Sequence, residues 1–168
     1  LHWSNADRDR RHALADEALA VARQVDDACV DGITPMYVMA KWEPSSRDDR
    51  LARVDELESR ASGTGTLETR FFAHYLRQIC LGEGGDMEAA AAELEVTSEL
   101  ADELRFPILR WRCLTRRSAM ALLQGPAGGE PHALAALEVG QSSGQPDALS
   151  AFGAQYILVS WDRGTLVD

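Results

Sequence analysis

Three side chains in TLETRFFAHYLRQICLGEGG, residues 66–85, have the types and the spacing to grip an anion. Arg70, His74 and Arg77 stand at i, i+4 and i+7, which a helix places on one face. Arginine suits that task because its planar fork matches carboxylate and phosphate oxygens two at a time. One reading is an anion-attracting stripe in a concave groove, holding a carboxylate or phosphate of a peptide or effector. The other is a solvated helix face. Shifted by 41 residues, the stripe falls on Trp111, Thr115 and Ser118, so it is not a repeated charge code. A second candidate pair is Arg112 and Arg116, four apart in RFPILRWRCLTRRSAMALLQG, residues 105–125. They either bind an anion or pair with acids of adjacent helices, Glu130 among them, for about 0–1 kcal/mol each where exposed.

Other chemistry finds no residues to carry it. His2, His12, His74 and His132 form neither HxxxH nor HExxH, so no metal ligands are expected. No GxSxG is present, and the carboxylates fall in surface patterns such as Asp55/Glu58 and Glu99/Glu103. The expectation is a chain with no catalytic residues and no cofactor. Cys29, Cys80 and Cys113 are odd in number, far apart and never CxxC, which predicts buried, reduced thiols in a cytoplasmic protein.

The bulk composition sets the partners. A net charge of −10 and a pI near 4.8 argue against direct nucleic-acid or anionic-lipid binding, which needs a basic surface. At 45% hydrophobic and 26% charged residues, the 168-residue chain reads as one ordinary globular domain. No apolar run approaches the roughly 20 residues of a membrane helix. The start, LHWSNADRDRR, has no signal-peptide order and no initiator Met, so the chain is expected to be a fragment of a larger protein. Sixteen arginines against one lysine, with abundant alanine, suggest a GC-rich bacterial genome.

Positioning the candidate residues requires helices, and almost every segment predicts one. Residues 9–27 put Leu14, Ala18, Leu19, Ala22 and Val25 on one side. In 33–44, Pro35 suits a helix start and Pro44 a helix end. Residues 45–61 begin with serines placed to cap. Residues 66–85 open at Thr66 and stop at Gly82, Gly84 and Gly85. Helices follow over 86–104 and then 108–123, which GPAGGEP at 125–131 halts. The last two span 131–144 and 147–164, and TLVD begins another element.

The order repeats. Gly84, Gly125 and Gly164 are 41 and 39 positions apart, and Asp27, Gly65, Pro107 and Pro146 are 38, 42 and 39 apart. The predicted units are 1–27, 28–65, 66–107, 108–146 and 147–168. A period near 40 falls between tetratricopeptide and HEAT-type repeats. A two-helix unit cannot bury its apolar face alone, whereas stacked units share one core. The predicted fold is therefore all-α, a right-handed α-α superhelix of about four antiparallel helix pairs. On a helical wheel, Trp111, Leu114, Ser118, Ala121, Leu122 and Ile108 cover one broad face, and Leu109, Cys113 and Met120 a narrower one roughly opposite. The arginines fall in the gaps between. That is the pattern of a helix packed on two sides.

The segments LHWSNADRDRRHALADEALAVAR, WEPSSRDDRLARVDELESRA, RFPILRWRCLTRRSAMALLQG and AFGAQYILVSWDRG resemble the helical-repeat region of large bacterial ATP-dependent regulators. These are LuxR-type activators of the MalT class, in which a STAND- or AAA-type ATPase module precedes tetratricopeptide-like repeats. The resemblance implies a non-catalytic recognition module that binds a protein, peptide or small effector and docks on other domains of the parent chain. The chain itself carries no GxxxxGK[ST] loop and no helix-turn-helix pattern. The alternative is a scaffold or self-association module without an effector. Exposed apolar ends of a truncated stack would also give a homodimer that has no meaning in the cell.

Overall fold

Each helix begins and ends where the local chemistry of the chain allows it. The structure, a computed structural model, describes residues 7–63 and 65–166. His2, the segment LHWSNA and the last two residues of TLVD lie outside them. The described residues form α1 (Arg8–Val25), α2 (Asp27–Ala40), a 3-10 turn at Pro44–Ser46, α3 (Arg47–Gly63), α4 (Leu67–Glu83), α5 (Met87–Leu104), α6 (Pro107–Gln124), α7 (Pro126–Ser142) and α8 (Ala148–Asp162). No strand occurs among them. The all-helical class expected from the sequence is therefore observed.

The caps show both agreement and difference. Thr66 caps α4, its hydroxyl accepting from the Thr69 amide at 3.1 Å. Asp26 caps α2 by accepting from the Cys29 amide at 2.7 Å. That cap lets α2 start eight residues before Pro35, which lies inside the helix and does not begin it. The Thr34 hydroxyl donates to the Val30 carbonyl at 2.7 Å, just before the proline. Ser46 does not cap α3; its hydroxyl donates backwards to the carbonyls of Lys41 and Glu43, tightening the turn into the helix.

The segment GPAGGEP is the largest departure. It reads as a break, yet α7 starts at Pro126 and runs through it. Proline at the first helical position gives up only an amide that would be unbonded anyway. Glycine then becomes useful for packing. A Cβ on Gly140 would lie 2.6 Å from the Ala148 Cβ and 2.8 Å from Trp111 Nε1, so α7 approaches both neighbouring helices at a distance only glycine permits. The Ser118 hydroxyl, buried, donates to the Gly129 carbonyl at 3.0 Å and fastens α6 to α7.

The chain divides into two compact units, one running to Glu93 and the other from Leu94, with the boundary inside α5. In the first, α1 and α2 form a hairpin, α3 and α4 a second, and α2 packs on both α3 and α4. In the second, α7 packs on α6 and α8, and α6 touches α8.

A common buried stripe runs through the odd-numbered helices. It is Ala15, Leu19, Ala22 in α1; Arg50, Val54, Leu57, Ala61 in α3; Ala90, Leu94, Thr97, Ala101 in α5; and Gly129, Ala133, Ala136, Gly140 in α7. The spacing within each stripe is i, i+4, i+7, i+11, with α1 stopping at i+7. Successive stripes are offset by 35, 40 and 39 residues. The repeat is thus expressed in burial as well as in the positions of the glycines.

Candidate interaction surface

The anion stripe assembles on one side of α4, but acids meet two of its three members. His74 Nδ1 lies 2.6 Å from Glu93 Oε2, both groups half-buried. Arg77 donates to Asp55 at 2.7 Å and also pairs with Glu58. Arg70 is exposed at the helix start. Arg112 and Arg116 are half-buried on α6, each engaged in interactions of its own. The structure therefore brings Arg70, His74 and Arg77 onto one helix, and leaves Arg70 as the member of that trio open to solvent. Forty residues beyond the Arg77–Asp55 pair, Arg117 donates to Glu95 at 2.7 Å. The repeated charge feature is thus an ion pair between helices.

The thiols offer little nucleophilicity. Burial pushes Cys113 up to about 11, and burial also raises Cys80. Cys29 is exposed, against the expectation of burial, and its hydrogen bond with Asp26 raises it too. A reactive cysteine needs the opposite shift. Among the described residues no three His, Cys, Asp or Glu side chains group to hold a metal ion. No helix there is long and apolar enough to cross a membrane.

An unexplained feature lies on the first hairpin. Beside the buried stripe of α1, a second apolar stripe faces solvent: Leu14 is 54% exposed, Val21 53% and Val25 63%. On α2, Met36 is 55% exposed and Ile33 half-buried. Between the helices runs a groove of about 490 Å³, floored by Leu14, Ala15, Ala18, Ile33, Met36 and Ala40. Scattered exposed apolar side chains such as Val21 and Val25 are ordinary, but Leu14 and Met36 line the groove, and an apolar groove is a candidate binding surface. Small residues make the groove: Ala15 and Ala18 stand where α3 has Arg50 and Arg53.

Polar groups fix its walls. Arg11 Nε donates to the Ala40 carbonyl at 2.8 Å, satisfying the C-terminal end of α2. Lys41 pairs with Asp16 at 2.6 Å and sits 4.8 Å over the Tyr37 ring. The Tyr37 hydroxyl donates to Asp49 at 2.7 Å. Burial raises the Tyr37 phenol above its ordinary value, with Asp49 adding to the effect, so it stays a donor at neutral pH.

Helical periodicity alone did not single out this surface. Leu14, Ala18, Leu19, Ala22 and Val25 read as one apolar side, and the structure splits them into a buried stripe and an open one. The width of that apolar arc was the available signal, because one hairpin partner covers only part of it. No protein-family model matches the chain, and neither a curated protein nor a solved structure matches it.

Proposed function

We propose that the chain is a non-catalytic helical-repeat module that recognises a protein or peptide partner through the open face of α1 and α2. The observation that carries this is the exposed apolar groove between Leu14 and Met36. An α-helical or extended segment with apolar anchors fits such a groove. The repeated buried stripe supports a right-handed superhelix of stacked hairpins as its architecture. The resemblance of four segments to the repeats of ATP-dependent bacterial regulators supports a place in a cytoplasmic regulator. There, a partner that prefers one docked arrangement of the repeats would shift the regulator toward it.

Thermal-shift screening against a panel of synthetic amphipathic peptides and metabolites tests the reading. A peptide that raises the melting temperature, and loses its effect in Leu14→Glu/Met36→Glu, supports it. A ligand whose effect survives there and vanishes in Arg70→Ala moves recognition to α4 and overturns it. So does a panel in which nothing binds.

A further inference from the structure

A cavity of about 350 Å³ opens within the second unit where the ends of three helices converge. Its lining comes from the last turns of α5 and α7 and the first turn of α6. That volume suits a small molecule. Arg105, Arg110 and Asp102 border it, all three exposed. No ion pair or hydrogen bond joins Asp102 to either arginine. Elsewhere in the chain opposite charges close on each other: Arg77 meets Asp55 and Arg117 meets Glu95, each at 2.7 Å. Here both signs stay open in one lining.

The remaining walls divide by chemistry. Phe106, 51% exposed, and the half-buried Val139 offer apolar surface. The Ser142 hydroxyl donates to the Val139 carbonyl at 3.1 Å, which leaves its oxygen to accept. Arg105 holds a φ of +56°, a conformation that Gly144 and Gly164 supply after α7 and α8. Glycine would close α5 without the crowding that a side chain brings, so this guanidinium is carried to the cavity at a backbone cost.

We propose that the cavity binds a free α-amino acid with an apolar side chain, held as its zwitterion. The α-carboxylate accepts from Arg105 and Arg110, whose planar forks suit its two oxygens. The α-ammonium donates to the Asp102 carboxylate and the Ser142 oxygen, and the side chain covers Phe106 and Val139. The helix ends add to this: the start of α6 favours the carboxylate, and the ends of α5 and α7 favour the ammonium. A phosphate dianion would set its second charge against Asp102, and a simple amine would face two arginines. The site shares no residue with the α1–α2 groove and goes beyond the reading of that groove.

Titration of isotopically labelled protein with L-phenylalanine, followed through the amide chemical shifts of Arg105, Phe106 and Arg110, is the test. Saturable shifts are expected, with a dissociation constant of about 1 mM, since the polar groups are exposed and the cavity is small. Hydrocinnamate lacks the ammonium and phenethylamine lacks the carboxylate, so each should bind about tenfold more weakly. Arg110→Gln should weaken L-phenylalanine by a similar factor. Asp102→Asn should weaken L-phenylalanine and leave hydrocinnamate no weaker. Both positions are exposed, so unchanged melting temperatures show that the variants fold. No saturable shift up to about 50 mM overturns the proposal. So does L-phenylalanine binding that survives both substitutions, and so does hydrocinnamate binding as tightly as L-phenylalanine, which would mark a plain anion site. Leu14→Glu/Met36→Glu should leave the titration unchanged, so peptide recognition on the first hairpin and amino-acid binding here stand or fall separately.

Discussion

The guanidinium of Arg50, wholly buried in α3, closes on the carboxylate of Glu83 at the end of α4 at 2.5 Å. Arg50 stands where the other odd-numbered helices carry alanine or glycine, and its Nε and Nη1 find no hydrogen-bond partner among the described residues. The charge is thus enclosed and held by one carboxylate and the Glu43 carbonyl at 3.2 Å. Removing the partner should cost more than removing the charge. Glu83→Ala is expected to lose about 3 kcal/mol, because it strands a buried cation. Arg50→Met keeps most of the volume and is expected to stay within about 1 kcal/mol of wild type. Urea denaturation followed by circular dichroism measures both, and equal losses would contradict the asymmetry.

Close approach at Gly140 gives a second expectation. Alanine there places a methyl group against Ala148 and Trp111, and Ala148 is short and anchored to its backbone. Overpacking of this kind costs about 1–3 kcal/mol, which outweighs the gain in helix propensity of about 1 kcal/mol. Gly140→Ala should therefore lower the denaturation midpoint. At Gly153, where an added Cβ meets nothing, the same change should raise it.

These two glycines also show what the sequence could and could not reveal. Their types are visible in the chain, but their roles depend on which helices approach them. The eight helices were largely readable because capping groups, prolines and apolar spacing act locally. Pro35 and GPAGGEP misled because other signals admit a helix through them: the Asp26 cap starts α2 ahead of Pro35, and Pro126 at the first position of α7 costs no helical hydrogen bond. On α4, the spacing of Arg70, His74 and Arg77 correctly predicted a shared face. It could not predict Glu93, Asp55 and Glu58, which come from other helices.

Glu56 sets a pH dependence. Burial pushes its carboxyl up, but Arg60, Arg23 and Arg53 together outweigh this and hold it below its ordinary 4.5. A carboxyl depressed in the folded state stabilises the fold above the unfolded value and loses that contribution as pH falls through the folded value. The stabilisation from Glu56 is therefore full above about 4.5 and disappears on further acidification. Subtracting the denaturation midpoints of Glu56→Gln from wild type across pH isolates it. The difference should be constant at neutral pH and shrink below about 4.5, and a difference that grows on acidification would refute the sign.

The three cysteines should separate by access. Cys29 lies exposed near the start of α2, whereas Cys80 and Cys113 are buried in α4 and α6. Titration of the native protein with a thiol-reactive disulfide should modify Cys29 first, with Cys80 and Cys113 following only after denaturant is added. The Cys29→Ser variant should show almost no reaction when folded. Because the Asp26 contact raises the Cys29 thiol, its labelling rate should keep climbing into alkaline pH, and Asp26→Asn should quicken it at neutral pH.

Arg105 occupies a conformation that the other helix ends assign to glycine. Its φ is +56°, while Gly85, Gly144 and Gly164, which follow α4, α7 and α8, lie between +69° and +85°. A side chain in this left-handed region crowds the neighbouring carbonyl, at a cost of roughly 1 kcal/mol. The Arg105 amide donates to the Ala101 carbonyl at 3.1 Å, so the backbone closes α5 whatever the side chain. Arg105→Gly relieves the crowding and increases the freedom of the unfolded chain, two effects of opposite sign. Relief should win here, because the left-handed state is already the one the helix end requires. A gain of about 0.5 kcal/mol in urea denaturation is expected. A loss would mean that the Arg105 side chain, exposed beside Phe106 and Arg110, makes a stabilising contact that outweighs the backbone strain.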